Sequence, residues 1–370
     1  MKAKLLSLIL LVGLIGFNSC QKDDDPSPLT QEEAVVAIED SQDQYETATT
    51  EISNNSGYKI QDQLSDMYLP FSSYYKSSKS KSSLLSPKID TDKLKLVASK
   101  LFKQSKSDDL NFDFNFIYDI EDIDFSDYAG TWNWSNSEFV KTSNTPTDKI
   151  ILNFPYPMEN STNNATLTYY DCTVNSTYGF ITGIKGKIEV SGSEVLSFEL
   201  SSKFSSSEIS STVSVKFGSY SLANVFSLQE SSLSASVTVK KDGAILYKQS
   251  AKITFKETSS DILFIIEAKM IIASLEFRVD MEVNYSDIGQ LESMSPNDYM
   301  SISLYTTGGA KVGDFKFVYD NESQNWELYF VYTTGVEVSS DELMSLFGDR
   351  LYGFYGEIVY DLLGELLDYK

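Results

Sequence analysis

The segment from Glu194 to Tyr285 constrains the fold most strongly, because its apolar residues alternate with Ser, Thr, Lys and Glu along most of its length. Successive side chains of a β-strand point to opposite faces, so this period of two predicts strands that each have one apolar face. The apolar residues form seven such runs, which begin at Leu196, Ile209, Tyr220, Leu233, Ile245, Ile262 and Leu275. Because only short connections join the runs, the segment predicts an antiparallel meander.

Three turns set the registers of neighbouring runs independently of one another. We expect a two-residue loop at Gly218-Ser219, where glycine in the first position suits a type II′ turn. We expect a four-residue loop over 229–232 and a three-residue loop over 241–243, with Gly243 in the left-handed region. The residue pairs that these loops predict are Phe217 with Tyr220, Leu228 with Leu233, and Val239 with Ile245.

The connection at Ala273-Ser274 allows two interpretations. A hairpin would match the apolar faces, but it would set Lys269 opposite Arg278 and Glu267 opposite Asp280. Like charges directly opposite each other are unfavourable, and the loop holds no residue that favours positive φ. The alternative is one long strand with a β-bulge at the same alanine. We favour the hairpin, because a strand of that length would be unusual.

The seven strands need a cover for their apolar face. At a spacing of ~4.8 Å they make a sheet roughly 34 Å wide with on the order of 1,000 Å² of apolar surface, more than soluble proteins expose. Helices are predicted over about 31–50, where Thr30 and Glu33 form a capping box, and over about 91–104. A long amphipathic helix is predicted over about 340–368, where apolar residues recur with a period near 3.6.

The expected fold is mainly β with helices (α+β). A large antiparallel sheet, curved or partly closed, would have its apolar face covered by the N-terminal helices and the C-terminal helix. The phenylalanines at 112, 114 and 116 suggest one more strand, and a second strand-rich block begins at Gly130. Further strands are predicted at Ile150–Phe154, Thr166–Val174, Ile184–Val190, Met300–Tyr305, Phe315–Tyr319 and Trp326–Tyr332.

The N-terminus has the pattern of an export signal. Two lysines precede an apolar run from Leu5 to Phe17, which is too short to span a bilayer. The sequence Phe-Asn-Ser-Cys at 17–20 resembles a bacterial lipobox, and Gln-Lys-Asp-Asp-Asp at 21–25 is similar to the surface-export signal of Bacteroidota lipoproteins. An ordinary signal peptide followed by a solvated acidic linker is the alternative.

The resemblance implies that Cys20 is the acylated first residue of the mature protein. It implies that the anchor lies in the outer membrane, that the protein faces outside the cell, and that the export signal consists of Lys22, Asp23, Asp24 and Asp25. We divide the chain into a signal peptide at 1–19, the acylated cysteine and acidic linker at 20–29, a helical and loop segment at 30–106, and the sheet domain with its C-terminal helix at 107–370.

Composition excludes several classes of function. A net charge of −23 argues against binding nucleic acid and against direct attraction to anionic lipids. The chain contains no histidine, which removes Ser-His-Asp and Cys-His nucleophilic sites and the usual zinc sites. Cys172 would have no disulfide partner if Cys20 is acylated, and we expect an inert, mostly buried thiol.

Two groups of residues are candidate sites. The acidic stretch 108–127 carries Asp119, Glu121, Asp122 and Asp124, and carboxylates suit calcium, but the spacing does not match an EF-hand loop. We favour solvated charge there and predict no metal and no cofactor. Trp132, Trp134 and Trp326 are candidates for stacking on sugar rings, although the interpretation that they belong to the core is favoured.

Three functions are compatible with a wide sheet and covering helices. We favour a non-catalytic recognition or adhesion module with a glycan or protein partner. The first alternative is a carrier of a lipid or another hydrophobic ligand, because the plan resembles LolA-like carriers at the level of architecture only. The second alternative is a carboxylate-based hydrolase, for which no catalytic residue can be named.

Overall fold

In the described part of the chain, sixteen strands form one sheet. The computed structural model describes residues 26–71, 115–118, 123–175, 181–205, 207–259, 261–287, 290, 294–322 and 325–339. The strands are β1 (Gly130–Ser135), β2 (Glu138–Ser143), β3 (Ile150–Phe154), β4 (Ala165–Val174), β5 (Ile181–Val190), β6 (Ser193–Phe204), β7 (Glu208–Phe217), β8 (Tyr220–Gln229), β9 (Ser232–Lys241), β10 (Ala244–Glu257), β11 (Ile262–Ile272), β12 (Leu275–Asn284), β13 (Met300–Thr306), β14 (Lys311–Asp320), β15 (Asn325–Tyr332) and β16 (Glu337–Ser339).

From β16 at one edge to β4, each strand lies beside the strand that precedes it in the sequence. β1 lies next to β3, and β2 forms the other edge of the sheet. Every neighbouring pair is antiparallel except β1 and β3, which are parallel. The predicted meander is therefore confirmed, and the seven predicted runs are β6 to β12. The six strands predicted outside that segment are also present, several of them longer than predicted.

The sheet is open, with β2 and β16 at its edges, whereas the sequence predicted a curved or partly closed sheet. Closing sixteen strands into a ring would enclose an interior too wide for side chains to fill. The apolar side chains find neighbours on helices and on adjacent strands instead. The division of the chain at 30–106 and 107–370 stays a prediction.

Two of the three predicted registers are present as expected. Phe217 pairs with Tyr220, and Gly218 has φ +59°, as a type II′ turn requires of its first residue. Leu228 pairs with Leu233, but the loop between them has two residues rather than four, because Gln229 and Ser232 are also paired.

The third register is different from the prediction. Asp242 and Gly243 have φ +50° and +86° and form a two-residue turn, the type I′ geometry that Asp-Gly favours. A bulge between Ile245 and Tyr247 then restores the apolar parity, so Val239 pairs with Tyr247 rather than with Ile245. Ile245 is consequently 41% exposed.

The hairpin between β11 and β12 is confirmed, including both pairs of like charges. Lys269 lies opposite Arg278, and Glu276 neutralises both: its Oε1 accepts from the Arg278 Nε at 2.7 Å and lies 3.4 Å from the Lys269 Nζ. Glu267 lies 4.0 Å from Lys252 on β10. Acidic and basic neighbours on the same face therefore offset the repulsion that argued against the hairpin.

The turn of this hairpin places an alanine in the left-handed region, with φ +48° at Ala273. Its amide donates to the carbonyl oxygen of Leu246 at 2.7 Å, and the carbonyl oxygen of Ser274 accepts from the amide of Thr307 at 2.7 Å. Hydrogen bonds from the turns on both sides thus hold a backbone conformation that alanine alone disfavours.

In the described residues before the sheet, the chain forms four helices: α1 (Gln31–Asn54), α2 (Ser56–Asp66), α3 (Asn115–Tyr118) and α4 (Phe125–Tyr128). Helix α1 confirms and extends the predicted helix, with the expected capping box between Thr30 and Glu33. Phe116 lies in α3 and not in the predicted strand. The predicted helices at 91–104 and 340–368 lie outside the described residues.

Helices α1 and α2 pack on separate parts of the apolar face. Helix α1 contacts β11 and β12, and its buried Ser41 Oγ donates to the carbonyl oxygen of Ile272 at 2.6 Å. Helix α2 contacts β6 and β7 so closely that a Cβ on Gly57 would lie 2.2 Å from the carbonyl oxygen of Val195. Among the described residues, the apolar side of the sheet forms the core, and most side chains on the opposite side are partly or fully exposed.

We predict that Ala273→Gly raises the free energy of unfolding by about 1 kcal/mol, because glycine adopts positive φ without the steric cost that alanine meets. Chemical denaturation of purified protein measures this. Gly243→Ala is the converse control. No atom lies within 4 Å of a Cβ added at this position. We therefore expect the free energy of unfolding to fall by about 1 kcal/mol because of the positive φ and not because of a steric clash. A destabilised Ala273→Gly variant would contradict the prediction.

Candidate functional site

The solvent side of strands β7 to β10 has an unusual composition. Side chains here alternate with the buried ones, so every second residue of each strand points outward. The outward positions form a surface that we call the hydroxyl–lysine face: Glu208, Ser210, Thr212, Ser214, Lys216, Ser221, Ala223, Val225, Ser227, Gln229, Ser232, Ser234, Ser236, Thr238, Lys240, Ile245, Lys248, Ser250, Lys252, Thr254 and Lys256.

Of these twenty-one residues, eleven carry a hydroxyl, five are lysines and one, Glu208, is acidic and is bound by Lys203. On the flanking strands, Glu199 is paired with Ser214, and Glu267 lies 4.0 Å from Lys252. A chain with a net charge of −23 thus presents a locally positive surface rich in hydrogen-bonding groups.

The sequence analysis did not single out these residues. The signal was present in the alternation itself, because Ser, Thr and Lys fill the positions between the apolar ones of β7 to β10. Knowing which strands are neighbours is what joins four separate runs of serines into one surface.

The predicted tryptophans lie on the other side of the sheet. Trp132 pairs with the buried Leu152, and its Nε1 donates to the carbonyl oxygen of Tyr128 at 2.9 Å. Trp134 packs edge-on against Phe139, with ring centroids 5.0 Å apart, and both tryptophans are half-buried against the core. These contacts are those of core residues.

Trp326 lies near the opposite edge of the sheet and is 37% exposed, with its ring against Tyr319. Strands β1 and β15 are thirteen strand positions apart in the sheet order, a path of about 60 Å at 4.8 Å per strand. The sheet order does not bring the three tryptophans together, and their stacking on sugar rings stays a prediction.

The other predicted site residues do not form a cluster in the described part of the chain. Cys20, Lys22, Asp23, Asp24, Asp25, Asp119, Glu121 and Asp122 lie outside the described residues. Asp124 caps α4, where its Oδ1 accepts from the amide and the hydroxyl of Ser126 at 3.1 and 2.7 Å. In the part of the chain that the structure describes, no three His, Cys, Asp or Glu residues group closely enough to hold a metal ion.

Cys172 lies on β4 as a free, half-buried thiol. Burial raises the pKa of this thiol to about 11, so it stays protonated at neutral pH. A protonated thiol is a poor nucleophile, which agrees with the inert residue predicted from the sequence, although the side chain is less buried than expected.

An ionic contact fastens the second half of α1 to the sheet. The Glu51 Oε2 accepts from the Tyr220 hydroxyl and from the Lys241 Nζ, each at 2.5 Å. Tyr220 and Lys241 reach it together because they are directly paired on β8 and β9. The hydrogen bond from Lys241, and then that from Tyr220, lowers the pKa of Glu51.

No family model matches the chain, and neither a curated protein nor a solved structure is similar to it. A function for this chain must therefore be inferred from the geometry and composition of its own surface. Among the described residues, no helix combines the length and the apolar character needed to cross a membrane.

We predict that Glu51→Gln lowers the Tm at pH 7 and leaves it nearly unchanged at strongly acidic pH. Because the pKa of Glu51 is lowered in the folded state, its contact stabilises the protein above the ordinary pKa of about 4.3 and is lost as the pH falls through the lowered value. Thermal unfolding at both pH values measures this. Glu39→Gln, an exposed change on the same helix, controls for charge, and an equal loss at both pH values would contradict the prediction.

Proposed function

We propose that this protein is a non-catalytic recognition module that binds an acidic glycan on the hydroxyl–lysine face. The observation that carries the proposal is the composition of that face: eleven hydroxyls and five lysines with a single carboxylate, that of Glu208, which Lys203 binds, on a strongly acidic chain. Lysines attract the acidic groups of such a polymer, and the hydroxyls exchange hydrogen bonds with its sugar hydroxyls.

The composition favours a glycan over a protein partner. Protein interfaces are usually built around a buried core that is enriched in aromatic side chains and depleted of charge. The hydroxyl–lysine face offers Ala223, Val225 and Ile245 as its apolar residues and contains no aromatic side chain. Short, regularly spaced polar side chains suit an extended polymer lying on the surface.

The two alternative functions find less support. The residues of the apolar face on β11 to β13 are almost entirely buried, as are Ile38 and Ala34 of α1 that pack among them, which is the pattern of a filled core rather than of a lipid site. Acid–base hydrolysis needs paired carboxyl groups, and the hydroxyl–lysine face has none.

We further propose that the amphipathic segment at 340–368 helps to cover the apolar face of the sheet. Its apolar residues recur with a period near 3.6, which matches a helix with one apolar side. A helix of that length reaches roughly 42 Å, enough to cross several strands.

The lipid anchor is also a proposal, based on Cys20 and the acidic residues after it. The chain after this segment is fixed at one end of the strands. The amide of Leu29 donates to the carbonyl oxygen of Lys311 at 2.9 Å, and the hydroxyl of Thr333 donates to the carbonyl oxygen of Leu29 at 2.5 Å. An anchored protein would thus be tethered at the end that carries the β13–β14 and β15–β16 turns.

We expect Cys20→Ser to abolish metabolic labelling of the protein with a radioactive or clickable fatty acid, because the acylated sulfur is lost. Cys172→Ser is the matched control and should keep the label, since Cys172 is half-buried within β4. Undiminished labelling of Cys20→Ser would refute the anchor without bearing on the glycan site.

The glycan site is tested with acidic polysaccharides, such as polygalacturonate and hyaluronan, against neutral dextran. We expect binding of an acidic polymer that weakens as salt is added, because exposed charges are screened. Replacing Lys216, Lys240 and Lys248 together with Gln should weaken binding about tenfold, at a few tenths to 1 kcal/mol for each exposed contact. Isothermal titration calorimetry measures the affinities.

The control for this triple variant removes three exposed lysines elsewhere, at positions 59, 149 and 316, and so makes the same change in net charge. It should bind as the parent protein does. Absence of binding to any acidic polymer, or equal losses in the two triple variants, would count against the proposed function.

A further inference from the structure

We propose that the glycan runs across the strands, along one row of alternating lysines and serines, and that it carries an acidic group on every second sugar. This inference rests on the proposed function and names the direction and the charge spacing of its ligand. The row consists of Lys187, Ser197, Lys216, Ser221 and Lys240, one residue from each strand from β5 to β9.

The registers show that the row is continuous. Lys187 pairs with Ser197, Ser197 with Lys216, Lys216 with Ser221, and Ser221 with Lys240. Directly paired residues point to the same face, so all five side chains are on the solvent side. The lysines lie on alternate strands, and two strand spacings separate neighbouring lysines by about 9.6 Å.

That separation selects a class of ligand. Two sugar units of an extended chain have about the length of two strand spacings, so a polymer with one acidic group in each disaccharide would meet a lysine at each repeat. The three lysines span four strand spacings, or about 19 Å. Intervening Ser197 and Ser221 are placed to bond the neutral sugar of each repeat.

The neighbouring carboxylates leave two of the lysines available. Lys187 lies 3.0 Å from the Glu189 carboxylate. Glu199, in the next row, is paired with Lys185, whose pKa is raised by Asp171 and by Glu199. Among the described residues, no carboxylate lies within ion-pair distance of Lys216 or Lys240. The positive charge of the row is therefore concentrated on β7 and β9.

Moving one lysine distinguishes an effect of total charge on binding from an effect of charge spacing. The variant Lys216→Ser combined with Ser221→Lys transfers a lysine from β7 to its direct partner on β8, so that composition and net charge are unchanged. The lysine on β8 is then three strand positions from Lys187 on β5 and one strand position from Lys240 on β9. We expect affinity for hyaluronan, which has a carboxylate on every second sugar, to fall about fivefold to tenfold.

The control exchange is Lys316→Ser with Ser301→Lys, which moves a lysine between exposed positions of the neighbouring strands β14 and β13, outside the hydroxyl–lysine face. It should bind hyaluronan as the parent protein does. Circular dichroism and thermal unfolding of both variants establish that they fold. Hyaluronan fragments longer than about 19 Å should bind better than the disaccharide, because only they reach all three lysines.

The outcomes distinguish this inference from the proposed function. If the parent protein binds hyaluronan and the exchanged variant binds it equally well, the row is not the site and the spacing argument fails, while glycan binding stands. If no acidic polymer binds to the parent protein, the proposed function itself fails.

Discussion

The structure depends on one constraint: a strand in a single sheet divides its side chains between two faces, and in the described part of this sheet the buried apolar side chains share one of them. Backbone hydrogen bonds join the sixteen strands but do not choose between the faces. Burial makes that choice. Wherever Phe, Ile, Leu or Val points toward α1, α2 or an adjacent apolar side chain, the next residue along the strand must face water. The polar surface is thus a necessary counterpart of the core.

Ionic contacts on the solvent side support registers that pairing by charge alone would disfavour. Lys269 and Arg278 are held opposite each other because their strands are aligned by Met270 and Phe277, which are directly paired in the core. Glu276, which is only 14% exposed, then serves both cations, and the guanidinium of Arg278 lies 4.0 Å from the ring centroid of Tyr305. Burial of apolar area outweighs exposed like-charge repulsion, which is worth less than about 1 kcal/mol.

The sequence predicted the features that depend on the alternation of apolar and polar residues. It did not predict the features that depend on local backbone geometry. Strands β6 to β12 and the pairing of Leu228 with Leu233 could be derived from parity. The length of a loop could not, because a bulge such as the one beside Leu246 can absorb a residue and still keep the apolar face intact. Ala273 does not predict a turn, because alanine does not favour positive φ. Its conformation is stabilised by hydrogen bonds with residues that are distant in the chain. The sequence did not predict helix α2, although Asn55 caps it. Its apolar pattern is short, and the buried side of the helix is defined only by its contacts with β6 and β7.

The same logic explains why the candidate site needed the structure. Each serine or lysine between two apolar residues is unremarkable in its own strand, and only the order and register of β5 to β9 align Lys187, Lys216 and Lys240. A slip of one residue between two strands would turn the apolar side chains of one of them toward water and break the row at the same time. The buried pairs, such as Phe217 with Tyr220, therefore specify the position of each lysine on the opposite surface. A surface built in this way fixes the spacing of the backbone positions that carry the lysines, because the precision comes from the core beneath them.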